Sequence, residues 1–131
     1  MIFRDSFEVK TEPLNYMDIT KDVEKVVEKS RAQEGMCHVF LPATTAGLML
    51  NEMDRLLMED FKRMFRELAS EKRMYAHPDN AHSHLRASLL SAEKTLPVSG
   101  AKLALGRWQS ILLWEFDVKP RTREITVTVF V

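Results

Sequence analysis

The chain has 131 residues, a length typical of one domain that buries its own core. Its 19 Lys and Arg residues balance 19 Asp and Glu residues, which argues against a general nucleic-acid binder or an anionic-membrane binder. The single cysteine, Cys37, excludes an internal disulfide and suits a reducing cytoplasm. Charges at Arg4, Asp5 and Glu8 argue against a signal peptide. We therefore expect one cytoplasmic domain over residues 1–131, with no nucleic-acid or membrane partner.

The first third of the chain predicts a strand, a helix and a second strand. Residues 2–10 alternate between apolar and polar side chains, which predicts a strand with one wet face. Residues 18–34 carry a helical stripe of valines, and Gly35 is a suitable residue to end that helix. Residues 36–41 carry apolar side chains at both odd and even positions. This predicts a strand that is buried on both faces and ended by Pro42.

Residues 43–52 combine a turn with a following strand. Gly47 can adopt backbone conformations closed to other residues, and Thr44 and Thr45 place hydroxyl groups beside it. Such a turn can present backbone N–H groups to an anion such as phosphate, although it can equally be a plain connection. A strand is expected over residues 48–50.

The remaining elements complete the fold class. Asp54 is expected to cap an amphipathic helix that runs through Ala69, and a second helix follows Asn80. Strands are predicted over residues 94–98, 110–116 and 123–131. The order β-α-β-β-α-α-β-β-β predicts an α+β fold, with a largely antiparallel sheet or sandwich and two to three packed helices.

Three of the four histidines fall between residues 75 and 86, which makes this segment the first place to look for chemistry. Imidazole can bind a metal, carry a proton near neutral pH or, once protonated, hold an anion. Helical spacing from Asn80 points His84 inward or into a pocket. The same spacing sends His82 and Arg86 to another face and leaves His77 in the preceding loop. A solvated loop with one hydrogen-bonded histidine is an equally open interpretation.

The ordered motifs resemble one protein family, the YjbQ-like family, also described as secondary thiamine-phosphate synthase. The resemblance rests on four segments in the right order, from about residue 36 to the end. They are His38–Glu52 (HVFLPATTAGLMLNE), Tyr75–Leu90 (YAHPDNAHSHLRASLL), Leu96–Gln109 with its LGRWQ end, and Glu115–Arg123 with its EFD and RTR triplets.

The resemblance implies a small α+β protein that assembles as a homotrimer and binds a phosphorylated small molecule. The activity attributed to the family is a weak thiamine-phosphate synthesis. In that reaction a hydroxymethylpyrimidine diphosphate alkylates a thiazole phosphate and releases pyrophosphate. Such chemistry needs stabilisation of the departing diphosphate charge and a pocket for two heterocycles. A divalent metal, Mg or Zn, is the cofactor that this chemistry or the histidines suggest.

Two residues depart from the family pattern at positions expected to be functional. Ala43 stands where the family has a histidine before the Thr-Thr pair, and alanine neither binds a metal nor transfers a proton. His82 stands where the family has an aspartate, which shifts the local preference from cations toward anions. The alternative to an enzyme is therefore a catalytically degenerate trimer that binds a metal or a phosphate ligand. A scaffold without its own ligand is the third possibility.

The candidate site joins residues from three segments, which we expect to converge on one cavity: the loop after Leu41, the histidines near Asn80 and the Gly106–Gln109 corner. The predicted catalytic residues are Glu52, as a general base, with His77 and His84. The same two histidines, with Glu52, are the tentative ligands of a divalent metal. The predicted substrate- and phosphate-binding residues are Thr44, Thr45, Asn51, Asn80, Arg86, Trp108, Gln109 and Arg123.

Overall fold

A computed structural model describes residues 1–131 as eight strands and three helices. In chain order they are β1 (Ile2–Lys10), β2 (Asn15–Asp18), α1 (Thr20–Ser30), β3 (Glu34–Phe40), β4 (Ala46–Asn51), α2 (Arg55–Leu68), α3 (Ala81–Ser88), β5 (Glu93–Ser99), β6 (Lys102–Leu103), β7 (Ser110–Glu115) and β8 (Thr122–Phe130). This arrangement confirms the α+β class. None of the three helices combines the length and the apolar character needed to cross a membrane.

The strands form two antiparallel sheets. One has five strands in the order β1-β8-β3-β5-β6, and the other has three in the order β2-β7-β4. The main core combines residues from both sheets and from α1, while a second, smaller core joins α2 to β4 and β7. Strand β7 contributes to both cores, with Ile111 and Leu113 in the first and Leu112 and Trp114 in the second. This explains why β7 carries apolar side chains at both odd and even positions.

Local sequence accounts for the elements that the patterns predicted. Strand β1 pairs with β8 along its whole length, and Val9 is its buried residue. Helix α2 begins after Asp54, whose Oδ1 accepts hydrogen bonds from Leu56 N at 2.9 Å and Leu57 N at 3.0 Å. An N-cap of this kind stabilises a helix by about 1 kcal/mol.

Two predictions about strands were wrong. Strand β3 is not buried on both faces: Cys37 and Val39 are buried, but Met36 and Phe40 are about two-fifths exposed. The physical reason is that no other element covers the outer face of the five-stranded sheet, so β3 needs only one apolar face. The sequence patterns also missed β2 and β6, which have four residues and two residues.

Candidate functional site

The loop after β3 is fixed by the packing of the chain around it. Leu41 N donates to Ala92 O at 2.7 Å, and Ala43 N donates to Leu41 O at 2.9 Å. Gly47 does not adopt the left-handed conformation that its sequence suggested. It is required for space instead, because a Cβ atom at Gly47 would lie 2.7 Å from the Cβ of Leu90. The close contact between β4 and the end of α3 therefore brings this loop next to the histidine segment.

A polar cavity of about 430 Å³ lies between this loop, the start of α3 and the connection between β7 and β8. It is open to solvent on one side. Its lining residues are Phe40, Leu41, Pro42, Ala43, Thr44, Thr45, Asn80, His84, Ala92, Asp117, Arg121 and Arg123. We refer to it as the polar pocket. Five of the predicted site residues, Thr44, Thr45, Asn80, His84 and Arg123, are brought together here.

Arg123 joins the polar pocket to the core of the protein. Its Nε and Nη2 donate to the two carboxylate oxygens of Glu115 at 2.8 and 2.6 Å, and Nη2 also donates to Thr45 Oγ1 at 2.8 Å. Glu115 is 1% exposed and also accepts a hydrogen bond from Thr11 Oγ1 at 2.6 Å. The buried carboxylate is thus fully engaged, and Arg123 holds the Thr45 loop against the sheet.

Asp117 holds a second arginine at the same pocket. Its Oδ2 accepts a hydrogen bond from Arg121 Nε at 2.6 Å, and its Oδ1 accepts one from Val118 N at 2.8 Å. Burial alone would raise the pKa of Asp117. The Val118 and Arg121 donors, together with the Asn80 side chain, hold that pKa below its ordinary value. Asp117 is therefore an ionised carboxylate that orients Arg121 and has little capacity left for a ligand.

Several hydrogen-bond donors of the polar pocket have no partner within the protein. The backbone amides of Thr44 and Thr45 make no hydrogen bond to another residue. Arg121 contacts Asp117 through Nε and Nη2, and Arg123 contacts Glu115 and Thr45 through the same two nitrogens. Nη1 of both arginines therefore has no partner within the protein. Unpaired donors of this kind are suited to an anionic ligand with several oxygens, such as phosphate.

His84 and His77 lie side by side. Their ring centroids are 5.1 Å apart, and the rings meet edge to face at 63°. His84 lines the polar pocket, whereas His77 lies in the loop before α3 and does not line it. Both histidines line a second, mainly apolar groove of about 300 Å³.

The face of α3 that carries His82 and Arg86 is buried, so the expectation that His82 points away from the protein and that Arg86 binds phosphate was wrong. His82 is 6% exposed and Arg86 is 3% exposed. Arg86 Nε donates to the carbonyl oxygens of Phe65 and Ala69 at 3.2 and 3.0 Å, at the C-terminal end of α2. Arg86 therefore does not line the polar pocket, and its position gives no support to a phosphate contact. The reason is that polar side chains on this face satisfy backbone carbonyls, which a search for apolar spacing does not detect.

Four other predicted site residues lie at the far end of the three-stranded sheet. Asn51 pairs with Ser110, while Ala46 pairs with Glu115 beside the polar pocket. Five residue steps along a strand separate these ends by about 17 Å. Asn51 is the last residue of β4 and Glu52 follows it, and Trp108 and Gln109 precede β7 at that same end. The predicted convergence of three segments on one cavity was therefore wrong within one chain: two segments meet, and the third does not.

The far-end residues have local structural contacts. Trp108 is 64% exposed, with the Arg107 guanidinium 4.9 Å from its ring centroid. Gln109 Oε1 accepts a hydrogen bond from Gly106 N at 2.8 Å, and Asn51 Oδ1 accepts one from Glu52 N at 2.8 Å. No group of three or more His, Cys, Asp or Glu side chains is placed to hold a metal ion. The predicted set of Glu52 with His77 and His84 is thus not assembled within the chain.

Sequence reasoning missed two residues of the polar pocket, Asp117 and Arg121. Both belong to motifs quoted above, the EFD and RTR triplets, but only Arg123 was selected from them. A signal was present, because Arg121 and Arg123 alternate with Thr122 at the start of a strand. It did not show that Asp117 would lie beside Arg121 across the intervening turn.

The chain is a two-sheet α+β protein with a small polar cavity at one end of its three-stranded sheet. The sequence model of the family described as UPF0047 protein YjbQ-like matches residues 5–131. A UPF0047 protein from Archaeoglobus fulgidus is 42% identical over 114 residues, which cover 85% of this chain and 87% of the relative. The chain therefore belongs to the YjbQ-like UPF0047 family, which confirms the resemblance noted in the sequence.

Solved structures support the same assignment. A hypothetical protein from Aeropyrum pernix K1 matches with a TM-score of 0.91 and 35% identity, over 97% of each chain. A YbjQ-like protein of unknown function from Sulfolobus solfataricus P2 matches with a TM-score of 0.89 and 36% identity, over 98% of each chain. The family's fold is thus shared along nearly the full length.

Proposed function

We propose that the polar pocket binds the phosphoryl group of a small phosphorylated molecule. The observation that supports this most directly is the set of unused donors on its lining residues: the amides of Thr44 and Thr45, and Nη1 of Arg121 and Arg123. A phosphoryl group offers three oxygens that accept such hydrogen bonds, and arginine N–H groups match them in geometry.

The charge balance of the pocket favours selective rather than strong binding. Arg121 and Arg123 are already paired with Asp117 and Glu115, so their charges are largely neutralised. His84 adds a positive charge only when it is protonated. We therefore expect binding to depend on the unused donors rather than on net positive charge.

Thiamine-phosphate synthesis is the finer activity that we propose for the same pocket. The unpaired donors would stabilise the departing diphosphate, and His84 is the one imidazole that lines the pocket and could exchange a hydrogen bond with the ligand. Ala43 places a methyl group where the family pattern has a histidine. This chain therefore has one imidazole fewer at that position than the family pattern. The pocket's only carboxylate, Asp117, is paired with Arg121, so its residues do not form a metal site.

Calorimetric titration with inorganic phosphate and pyrophosphate tests phosphate binding. Arg121→Gln removes a pocket guanidinium and should weaken binding about tenfold, the effect of one lost charge-assisted hydrogen bond. Arg107→Gln is the matched control, because Arg107 is exposed at the far end of the sheet. Equal affinity in the wild type and in Arg121→Gln would contradict the proposal. So would an equal loss in both variants.

Growth of a thiamine auxotroph that lacks its main synthase tests the finer activity. Rescue by the wild-type chain and loss of rescue with His84→Ala, at equal protein levels, is the expected result. Rescue that survives His84→Ala would remove the assigned role of His84. Absence of rescue together with measurable phosphate binding would favour a binding protein without this catalysis.

We also propose that the chain assembles as a homotrimer through the outer face of the five-stranded sheet. Ile2, Phe130 and Met36 lie side by side on adjacent strands of that face, and each is between 43% and 62% exposed. Phe40 continues the same face and also lines the polar pocket. Sedimentation equilibrium should give three times the chain mass, and Met36→Lys should lower it. A monomeric wild type would contradict this proposal.

A further inference from the structure

Strand β1 forms one edge of the five-stranded sheet, where it pairs with β8 alone over nine residues. Next to this strand, Met1 and Val131 exchange two backbone hydrogen bonds, Val131 N to Met1 O at 3.0 Å and Met1 N to Val131 O at 3.3 Å. Hydrogen-bonded pairs alternate along an antiparallel ladder, so the odd-numbered residues of β1 bond to β8. The backbone N–H and C=O groups of the even-numbered residues therefore point away from the sheet.

This edge of β1 pairs with no other strand of the chain. All of its even-numbered side chains are exposed: Ile2, Arg4, Ser6, Glu8 and Lys10. The N–H group of Ser6 donates to Oδ1 of its neighbour Asp5 at 2.8 Å, which is a contact within the strand itself. A long edge with free backbone groups is a template on which another strand can pair.

Two charges of β1 have no ionic partner within the chain. Arg4 donates through Nε to Thr128 Oγ1 at 3.0 Å, and neither Arg4 nor Glu8 forms an ion pair. Glu8 lies opposite Glu124 of β8, and like charges in facing positions destabilise a sheet. A cation on the free side of Glu8 would offset this repulsion.

We infer that the free edge of β1 binds a second copy of this chain, with the two β1 strands antiparallel about a two-fold axis at Ser6. Even-numbered residues must face one another, because only their backbone groups are free. With Ser6 opposite Ser6 of the second copy, Arg4 of each chain faces Glu8 of the other, so all four charges gain a partner. A shift by one step of the ladder places Arg4 opposite Ser6 or Lys10 and loses both ion pairs. Charge therefore selects one register.

The inner face of the paired strands fits the same register. Val9 belongs to the main core and Phe3 packs against it, and the pairing places these two side chains opposite each other across the axis. Asp5 keeps its ion pair with Lys29 Nζ at 3.1 Å, while Ser6 N–H exchanges the Asp5 oxygen for a carbonyl oxygen of the second copy. The proposed trimer uses the outer face of the sheet, so the two contacts do not compete for the same backbone groups.

A cysteine on the two-fold axis tests the pairing in the full chain. Facing hydrogen-bonded residues have Cα atoms about 5.5 Å apart, which is within the range for a disulfide. Ser6→Cys should therefore form a covalent dimer under mild oxidation, detected in a denaturing gel as twice the chain mass. The native Cys37 is fully buried, and burial raises the pKa of its thiol to about 11, so it does not react. The covalent dimer reports the edge contact whether or not the trimer forms.

Glu8→Cys is the matched control, because Glu8 is exposed on the same face of the same strand. In the inferred register its two copies lie about 13 Å apart along the strands, so this variant should stay unlinked over the same time. Equal rates of dimer formation in Ser6→Cys and Glu8→Cys, or no dimer in Ser6→Cys, would overturn the inference.

Charge exchange tests the register in the Ser6→Cys background. Arg4→Glu replaces two opposite-charge pairs by two like-charge pairs and should slow dimer formation about tenfold. The further change Glu8→Arg restores opposite charges and should restore the rate. Both variants lose the Arg4 hydrogen bond to Thr128, so that loss cannot cause a difference between them. If Arg4→Glu leaves the rate unchanged, or if Glu8→Arg does not restore it, the inferred pairing is wrong.

Discussion

Arg123 pairs with Glu115 through two hydrogen bonds, of 2.8 and 2.6 Å, and extends the same guanidinium to Thr45. The arginine belongs to β8 in one sheet, and the glutamate belongs to β7 in the other. This single ion pair therefore joins the two sheets, and Arg123 also attaches the loop that contains Thr45 to them. The two hydrogen bonds to Glu115 require a planar guanidinium group, because lysine offers no second donor at a fixed distance from the first.

Substitution of Glu115 should be severely destabilising. Glu115→Gln leaves the Arg123 charge, 13% exposed, without its partner, and such losses cost about 3–5 kcal/mol. Urea unfolding followed by circular dichroism measures the change. Glu124→Gln is the control, since Glu124 is exposed on the same strand as Arg123. A change below 1 kcal/mol for Glu115→Gln would show that the pair contributes little.

Gly47→Ala should destabilise the protein by about 1–3 kcal/mol, the usual cost of forcing extra volume into a packed interior. The added Cβ would meet the Cβ of Leu90, which is anchored to the backbone and has little freedom to move. Leu90→Ala in the Gly47→Ala background does not remove that Cβ, but it frees the Cδ1 and Cγ contacts at 3.1 and 3.4 Å. The double variant should therefore be less destabilised in urea unfolding than the sum of the two single variants. Strict additivity of the two single changes would contradict the proposed contact.

Stability should decrease in mild acid because of His82. Burial, together with the nearby Arg86 charge, lowers the pKa of His82 below its ordinary value of 6.5. The unfolded chain therefore takes up this proton at a higher pH than the folded chain. The stabilisation is fully present above pH 6.5, and it is lost as the pH falls from 6.5 through the lower folded value.

Urea unfolding at pH 7.5 and at successive values down to pH 5 measures this dependence. His82→Asn should flatten the profile over that window. His77→Asn, at an exposed histidine, should leave it as in the wild type. The assignment to His82 fails if the His82→Asn profile keeps the wild-type slope.

Arg86→Met should lower the free energy of unfolding by about 1–3 kcal/mol. The methionine keeps much of the side-chain volume, but it leaves the carbonyls of Phe65 and Ala69 without the Arg86 donor. Arg66→Met, at an exposed arginine in the last turn of α2, is the comparison. Equal effects of the two changes, measured by thermal unfolding, would mean that the buried hydrogen bonds are not the cause.

Much of the fold was predictable because its longer elements carry periodic signals. Strand β1 alternates over nine residues, and α2 has both a cap at Asp54 and a clear stripe. Strands β2 and β6 were missed because two to four residues carry too little pattern. The prediction of which face of α3 is buried failed for a different reason. Its buried face includes Ser83, which donates to Phe116 O, and Arg86, so polar groups with partners took the place of an apolar stripe.

The candidate site was predictable only where sequence neighbours stay neighbours in space. Thr44 and Thr45 are adjacent in the chain, and Asn80 and His84 lie within one turn of α3. Asp117 was missed because its role depends on Arg121 folding back across a turn to reach it. Trp108 was assigned to the cavity although the antiparallel register of β4 and β7 places it at the other end. Register between distant strands is a tertiary property, and no local motif encodes it.

The nine-residue pairing of β1 with β8 also has a consequence for biosynthesis. Strand β8 is the last strand to be made, and it lies between β1 and β3, each of which it joins by hydrogen bonds. Strand β1 therefore has no partner in its sheet until β8, more than 110 residues later in the chain, has also been synthesised. Closing so long a loop is slow, because its entropy must be lost before any native contact is gained. We expect the pairing of β1 in the large sheet to form only after β8 has been synthesised, and the emerging chain to depend on protection from aggregation until then.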